Sequence, residues 1–192
     1  MSKKPATDEA MAAVRVSGPV TPHNDTIHLA DYDPSWPLLY EAEAAKIRAA
    51  LGDRAIVLEH VGSTSIPGLC AKPLIDIVLG IADSADEASY VPALTTQGYT
   101  LHLREPDWEQ HRVMRGELPP VNLHVFTVGS VEMARMLTFR DRCRANPGER
   151  RLYEATKREL AARTWRHVQH YANAKSDVVE AIISRALAGR SA

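Results

Sequence analysis

Two nearly unbroken apolar runs, AIVLEHV at 55–61 and LIDIVLGI at 74–81, mark the first half of the chain as sheet. The second is apolar throughout except for Asp76, the pattern of a strand covered on both faces. Shorter runs predict strands at 26–30, 99–103, 111–115 and 121–128, the last two joined as a hairpin through GELPP. Between the first two strands, Ser35 is placed to cap a helix, with Pro37 in its first turn. Leu38, Ala42, Ala45 and Ala49 then recur at helical spacing, and Gly52 ends the helix. Further helices are predicted at 84–97, with a break near Pro92, and from Val131 to about residue 144, capped by Ser130. Two more follow at 149–163 and 166–187, the last carrying Val179, Ile183 and Leu187 on one stripe. Asn146-Pro147-Gly148 reads as a helix break. Strands gather early and helices late, so the expected class is α+β, a mixed sheet with flanking helices and a helical C-terminal part. Residues 1–24 lack a period and read as a flexible tail, leaving a single domain over 25–190.

Composition changes this picture little. The chain has 192 residues, 45% of them hydrophobic and 24% charged, with a formal net charge of −1. That is the profile of a soluble globular protein. The segment 140–166 is rich in Lys and Arg, a pattern shared by a solvated helix surface and a face turned to phosphate or carboxylate. The overall balance and the lack of a recognised motif speak against a specific nucleic-acid partner. No run approaches a membrane span, and Asp8, Glu9 and Arg15 interrupt any signal-like start, so a cytoplasmic protein is expected. Cys70 and Cys143 lack metal-type spacing and read as inert thiols of a reduced compartment.

The chemistry concentrates in HVGSTSIPGLCAKPLIDIVLG, residues 60–80. Gly62 follows a strand directly and lets the backbone turn and a ligand come close. Ser63, Thr64 and Ser65 set three hydroxyls beside backbone N–H groups, a combination suited to phosphate oxygens, and Lys72 adds a cation. Asp76 stands in an apolar strand, where a carboxylate needs a cation, a metal or hydrogen bonds. A phosphate cradle facing a strand carboxylate is apparatus for phosphoryl or nucleotidyl transfer.

These residues resemble the GrpB family, which belongs to the nucleotidyltransferase-fold superfamily related to DNA polymerase beta. The matching pieces are YDPSW (32–36), EHVGSTSIPGL (59–69), AKPLIDI (71–77), NLHV (122–125), FRDRCRANP (139–147) and YANAKSD (171–177). The resemblance implies a nucleotidyltransferase-like mixed sheet with the Gly-Ser loop and Asp76 lining a nucleotide site. It also places the helices of Arg140 and Lys175 near the cleft, where either could neutralise phosphate. Active members of the superfamily carry Asp-x-Asp or Asp-x-Glu on the strand after the loop and a third acid on a neighbouring strand. Here the residue sharing a face with Asp76 is Val78, and the later strand offers Asn122 and His124. Mg²⁺ is the implied metal, yet Asp76 and His124 alone make a poor site for it; substrate oxygens would have to complete the shell, and a transition metal is the alternative.

His124 is expected as second metal ligand or general base. His111 and Arg112 point to opposite faces, so at most one reaches the site; Arg112 is the candidate phosphate clamp. His60 is expected to pack below the loop, and Trp108, in the polar REPDWEQ segment, to stack on a base. No organic cofactor is implied. The expected ligand is a small molecule or nucleotide, and the expected activity is transfer from a nucleoside triphosphate to a small acceptor. The alternatives are a non-catalytic nucleotide or anion binder, and a different small-molecule reaction on the same scaffold.

Overall fold

The computed structural model describes residues 7–189. A short helix α1 (Asp8–Val14) precedes helix α2 (Trp36–Leu51) and strands β1 (Val57–Val61) and β2 (Ile75–Ile81). A short helix α3 (Val91–Thr95) then leads to strands β3 (Thr100–Glu105), β4 (His111–Glu117) and β5 (Pro120–Thr127). Helices α4 (Val131–Ala145), α5 (Pro147–Ala161), α6 (Val168–Ala174) and α7 (Ser176–Ala188) complete the chain. The strand order is β1-β2-β5-β4-β3, with β2 and β5 parallel and the other pairs antiparallel, so the protein is α+β with a mixed sheet, as expected. Among the described residues no helix is long and apolar enough to cross a membrane.

One sheet face packs on α2 and α3. Trp36, Tyr40, Ala44, Ile47 and Leu51 meet Leu58, Ile75, Ile77, Leu79 and Leu123 there. The helix buries this stripe and not the expected one; Leu38 is 71% exposed. The bulky stripe removes more apolar area from water than one leucine and three alanines, and that difference sets the rotation of the helix. On the other face, α4 covers one end through Met133, which packs with Val61, Val78 and Phe126. The C-terminal helices dock on the loop after β1: Ile66 and Leu69 pack with Phe139, Cys143, Tyr153, Ile182 and Ile183. The IPGL segment thus anchors the helical half to the sheet.

Several expected elements change. The run 26–30 makes a single isolated bridge, Ala30 with Ala71, because Ile27 packs on Leu160, Ala161 and Tyr171 of the helices and has no strand beside it. The expected helix at 84–97 shrinks to Val91–Thr95, since Ser84 is buried by bonds to Thr127 and Gln110. Asn146-Pro147-Gly148 starts a helix as well as ending one: the Asn146 side chain accepts from the Gly148 and Glu149 N–H groups, and Pro147 takes the first position. The expected helix at 166–187 divides at Lys175 into α6 and α7. Within the segment read as a tail, Thr7 caps α1, and Ser17 bonds His102 at 3.0 Å, so this part is packed where the tail reading left it free; residues 1–6 lie outside the described residues.

Two buried histidines predict acid sensitivity. Burial, helped by Arg144, pushes His60 down to about 4, with Asp76 opposing; burial and the charges of Arg115 and Arg15 push His102 down to about 4. Both are 5% exposed. The unfolded chain takes up these protons near pH 6.5 and the folded chain does not until about 4, so stability is whole above that window and falls through it. At about 1.4 kcal/mol per pH unit, the loss is on the order of 3 kcal/mol per histidine. Urea unfolding at a series of pH values checks this; a level stability from neutral pH down to about 4.5 would refute it.

Candidate functional site

The site lies on the sheet face turned to the C-terminal helices. Register fixes which residues share that face: Asp76 pairs with Asn122, Val78 with His124, and His124 with Val113 across to β4. Asp76, Val78, Asn122 and His124 therefore point one way, with His111 two residues from Val113. Asn122 Nδ2 donates to Asp76 Oδ1 at 3.1 Å, and His124 Nε2 lies 3.6 Å from the same oxygen.

The loop is built around Gly62, whose φ is +68°. A Cβ there would fall 2.4 Å from Asp76 Oδ2, so only glycine lets the turn cross the carboxylate this closely. The turn Ser63–Ser65 is a single 3₁₀ turn. Its hydroxyls do not all face a ligand, as had been expected. Ser65 Oγ donates to Gly62 O at 2.7 Å, and Thr64 Oγ1 donates to Leu74 O at 3.2 Å with His60 Nε2 3.1 Å away. Thr64 and Ser65 are buried and spent on holding the turn; Ser63 stays partly exposed near the buried Tyr153. His60 stacks on Tyr40 below the loop, as the sequence indicated.

Three lysines feel the charge of the Asp76 carboxylate, without a direct ion pair to it among the described residues. Burial lowers Lys72, with Asp76 opposing and Lys175 and Arg115 adding to the fall. Burial lowers Lys175 to about 8, again with Asp76 opposing. Its ammonium sits 4.4 Å from the centre of the Tyr171 ring. Burial, then the charge of Lys175, brings Lys157 to about 7; this residue is 2% exposed and donates to Cys70 O. Burial would raise the Asp76 carboxyl, but the nearby His124 imidazole, the bond from Asn122 and the charge of Lys72 hold it below the ordinary carboxylate range. One carboxylate among three amines and an imidazole is a basic cluster suited to an anion.

Beyond His124, β4 and β3 extend the polar row. His124 Nδ1 is 3.1 Å from His111 Nε2, and His111 Nδ1 is 2.7 Å from Glu105 Oε2. Sequence reading reached Gly62, Ser63, Lys72, Asp76, His124 and Lys175, which come together. Two arginines lie apart from this cluster. Arg112 points to the opposite face, where Nε donates to Glu87 at 2.6 Å and Nη1 to Gln110 O at 2.8 Å. Arg140 is buried and clamps α4 to β1, donating to Glu59 at 2.7 Å, His60 O at 3.0 Å and Asp141 at 2.7 Å. Trp108, the expected base-stacking residue, packs edge-on against His111 and Phe126. Glu105, Tyr153 and Lys157 were missed; the one signal for Lys157 was its place on the same helical face as Tyr153, Leu160 and Ala161.

The donor set does not suit a two-metal centre. Among the described residues no group of three or more His, Cys, Asp and Glu side chains could hold a metal ion. Asp76 and His124 are one oxygen donor and one nitrogen donor, and Val78 and Asn122 stand where further carboxylates would be needed. Mg²⁺ asks for an octahedral shell of oxygens, which these side chains do not supply.

The sequence matches the family model described as GrpB protein over residues 26–185. The chain belongs to the GrpB family. A UPF0157 protein of Halalkalibacterium halodurans is 56% identical over 182 residues, covering 95% of this chain and 93% of that protein. The crystal structure of the conserved protein GrpB from Enterococcus faecalis superimposes with a TM-score of 0.72 at 25% identity, covering 86% of this chain and all of that one. A dephospho-CoA kinase of Mycolicibacterium paratuberculosis is 28% identical over 176 residues, covering 78% of this chain but 43% of the kinase. This GrpB-family chain thus shares its mixed-sheet fold with a solved family member.

Proposed function

We propose that this GrpB-family protein binds a phosphate-bearing small molecule, with a nucleoside triphosphate as donor, and transfers a phosphoryl or nucleotidyl group to a small acceptor. The observation that carries the reading is the convergence of Lys72 and Lys175 on Asp76 beside the Gly62 turn. The ammonium groups hold the phosphate oxygens and neutralise the charge that builds on the leaving group. The acceptor oxygen forms the new P–O bond, the P–O bond to the departing nucleoside diphosphate (phosphoryl transfer) or pyrophosphate (nucleotidyl transfer) breaks, and the acceptor proton passes to His124, whose charged form Asp76 stabilises. Similarity to a stretch of a protein named as a kinase supports phosphoryl chemistry without naming the acceptor. Two buried free cysteines fit a reducing compartment, and we assign the protein to the cytoplasm.

A second reading, an anion-binding module without turnover, is favoured by Val78, which stands where an active nucleotidyltransferase would carry its second carboxylate. Calorimetric titration of ATP, GTP, CTP and UTP, with Mg²⁺ and with chelator, separates the readings. Wild type is expected to bind at least one of them in chelator, and product is expected over an acceptor panel only while Asp76 is intact. Binding without product favours the module. No binding under either condition removes the nucleotide from the proposal.

A further inference from the structure

We infer that His124 carries its proton on Nδ1 and presents an unprotonated Nε2 to the site, and that His111 and Glu105 are the positioning residues that impose this form. Three contacts run in line. Glu105 Oε2 and His111 Nδ1 are 2.7 Å apart, His111 Nε2 and His124 Nδ1 3.1 Å, and His124 Nε2 and Asp76 Oδ1 3.6 Å. Taking both imidazoles as neutral, two ring protons serve these three contacts. A carboxylate only accepts, so the 2.7 Å contact requires the proton on His111 Nδ1. That leaves His111 Nε2 as an acceptor, and the 3.1 Å contact then takes its proton from His124 Nδ1. The last contact, at 3.6 Å, lies outside hydrogen-bond range and is the one that goes without.

The opposite assignment fails on distance. With both rings neutral, a proton on His124 Nε2 would put His111 Nε2–H against His124 Nδ1 and leave a bare His111 Nδ1 facing a carboxylate oxygen at 2.7 Å, lone pair against lone pair; a doubly protonated His111 would escape that clash, and the reverse imidazole spectrum would report it. Packing holds the rings in this arrangement. The His111 and His124 planes are 10° apart, His111 stacks on Phe126 with centroids at 4.5 Å, and Trp108 meets the His111 ring edge-on at 5.2 Å. His111 is 4% exposed, so water does not readily replace either partner.

The tautomer rests on these distances and on both rings being neutral. Its use rests on the transfer reading above: Nε2 receives the acceptor proton as the P–O bond forms, and the resulting imidazolium faces Asp76. Glu105 and His111 act through His124 and touch no substrate.

Long-range ¹H–¹⁵N correlation of the wild-type imidazoles at about pH 8, which reports each ring nitrogen's protonation directly, tests the tautomer. The expected spectrum gives His124 a protonated, pyrrole-type Nδ1 and a pyridine-type Nε2. The reverse pattern in wild type overturns the inference whatever the activity. In His111→Phe, which keeps an aromatic ring against Phe126, His124 is expected to move toward the Nε2–H form; an unchanged pattern removes the role of His111. The wild-type spectrum decides the tautomer even if the variant does not fold. Where transfer is found, Glu105→Ala is expected to lower kcat by roughly tenfold or more with little change in KM. Unchanged kcat ends the positioning role, whereas absence of transfer in wild type ends the functional reading and leaves the spectrum to decide the tautomer.

Discussion

Gly62→Ala is expected to lower the unfolding free energy by about 2–4 kcal/mol and to abolish ligand binding at the loop. Two costs add. Backbone at φ +68°, ψ −171° is a region that residues with a Cβ scarcely enter. The new methyl would also lie 2.4 Å from Asp76 Oδ2 and 2.9 Å from Asp76 Cβ, and the latter belongs to a strand flanked by β1 and β5. The strand cannot retreat, so the carboxylate must rotate off Asn122 and His124 or the turn must lift. Gly98→Ala is the control. Gly98 also has a positive φ, +88°, but its Cβ would meet nothing within 4 Å, and the expected cost is about 1–2 kcal/mol. Urea unfolding of both variants isolates the close approach to Asp76. Equal losses would mean that the loop has slack and that its geometry does not depend on Asp76.

The parts of the fold legible in the sequence were those that local pattern decides alone. β2 was readable because burial on both faces excludes nearly every polar residue, and the β4–β5 hairpin because its turn chemistry lies between two strand-like runs. The 26–30 run carries strand-like residues, yet Ile27 found helices to pack against, which no local signal contains. The orientation of α2 shows the same limit. Spacing marked a helix but allowed several faces, and only the sheet beneath could select the one with Trp36, Tyr40 and Ile47.

The site divides along the same line. Gly62, Ser63, Lys72 and Asp76 come from one short stretch and stayed together in space. That His111 and Arg112 face opposite ways follows from the alternation of a strand, but which of them faces Asp76 depends on the register of β4 against β5. The answer turned the arginine to Glu87 and the histidine to His124. Lys157 was hidden because a lysine on an amphipathic helix reads as solvated until the helix docks and closes over it. Lys175 reached the site because the helix breaks at that residue, setting its ammonium over Tyr171.

The amines make the second large expectation. Lys175→Met should weaken binding of a phosphate-bearing ligand at neutral pH by roughly 10- to 100-fold, the range of a charge-assisted contact of about 1.5–3 kcal/mol. Methionine keeps most of the buried stem, so the change tests charge more than packing. Acidity supplies the control. With Lys175 at about 8 and Lys157 at about 7, an anion that prefers the ammonium forms draws protons onto them, so wild-type affinity should fall as pH rises through about 8. A phosphate monoester completes its second ionisation near pH 6, so the ligand's own charge is nearly constant over this range and the slope belongs to the protein. Calorimetry at pH 7, 8 and 9 in buffers of different ionisation enthalpy should show net proton uptake by wild type and less by Lys175→Met. The two proteins should approach the same affinity at the alkaline end, where the wild-type amine has lost its charge. A wild-type affinity constant across the range would separate the ligand from Lys175, whereas uptake that persists unchanged in the variant would assign the proton to Lys157 and place the anion deeper, against α5.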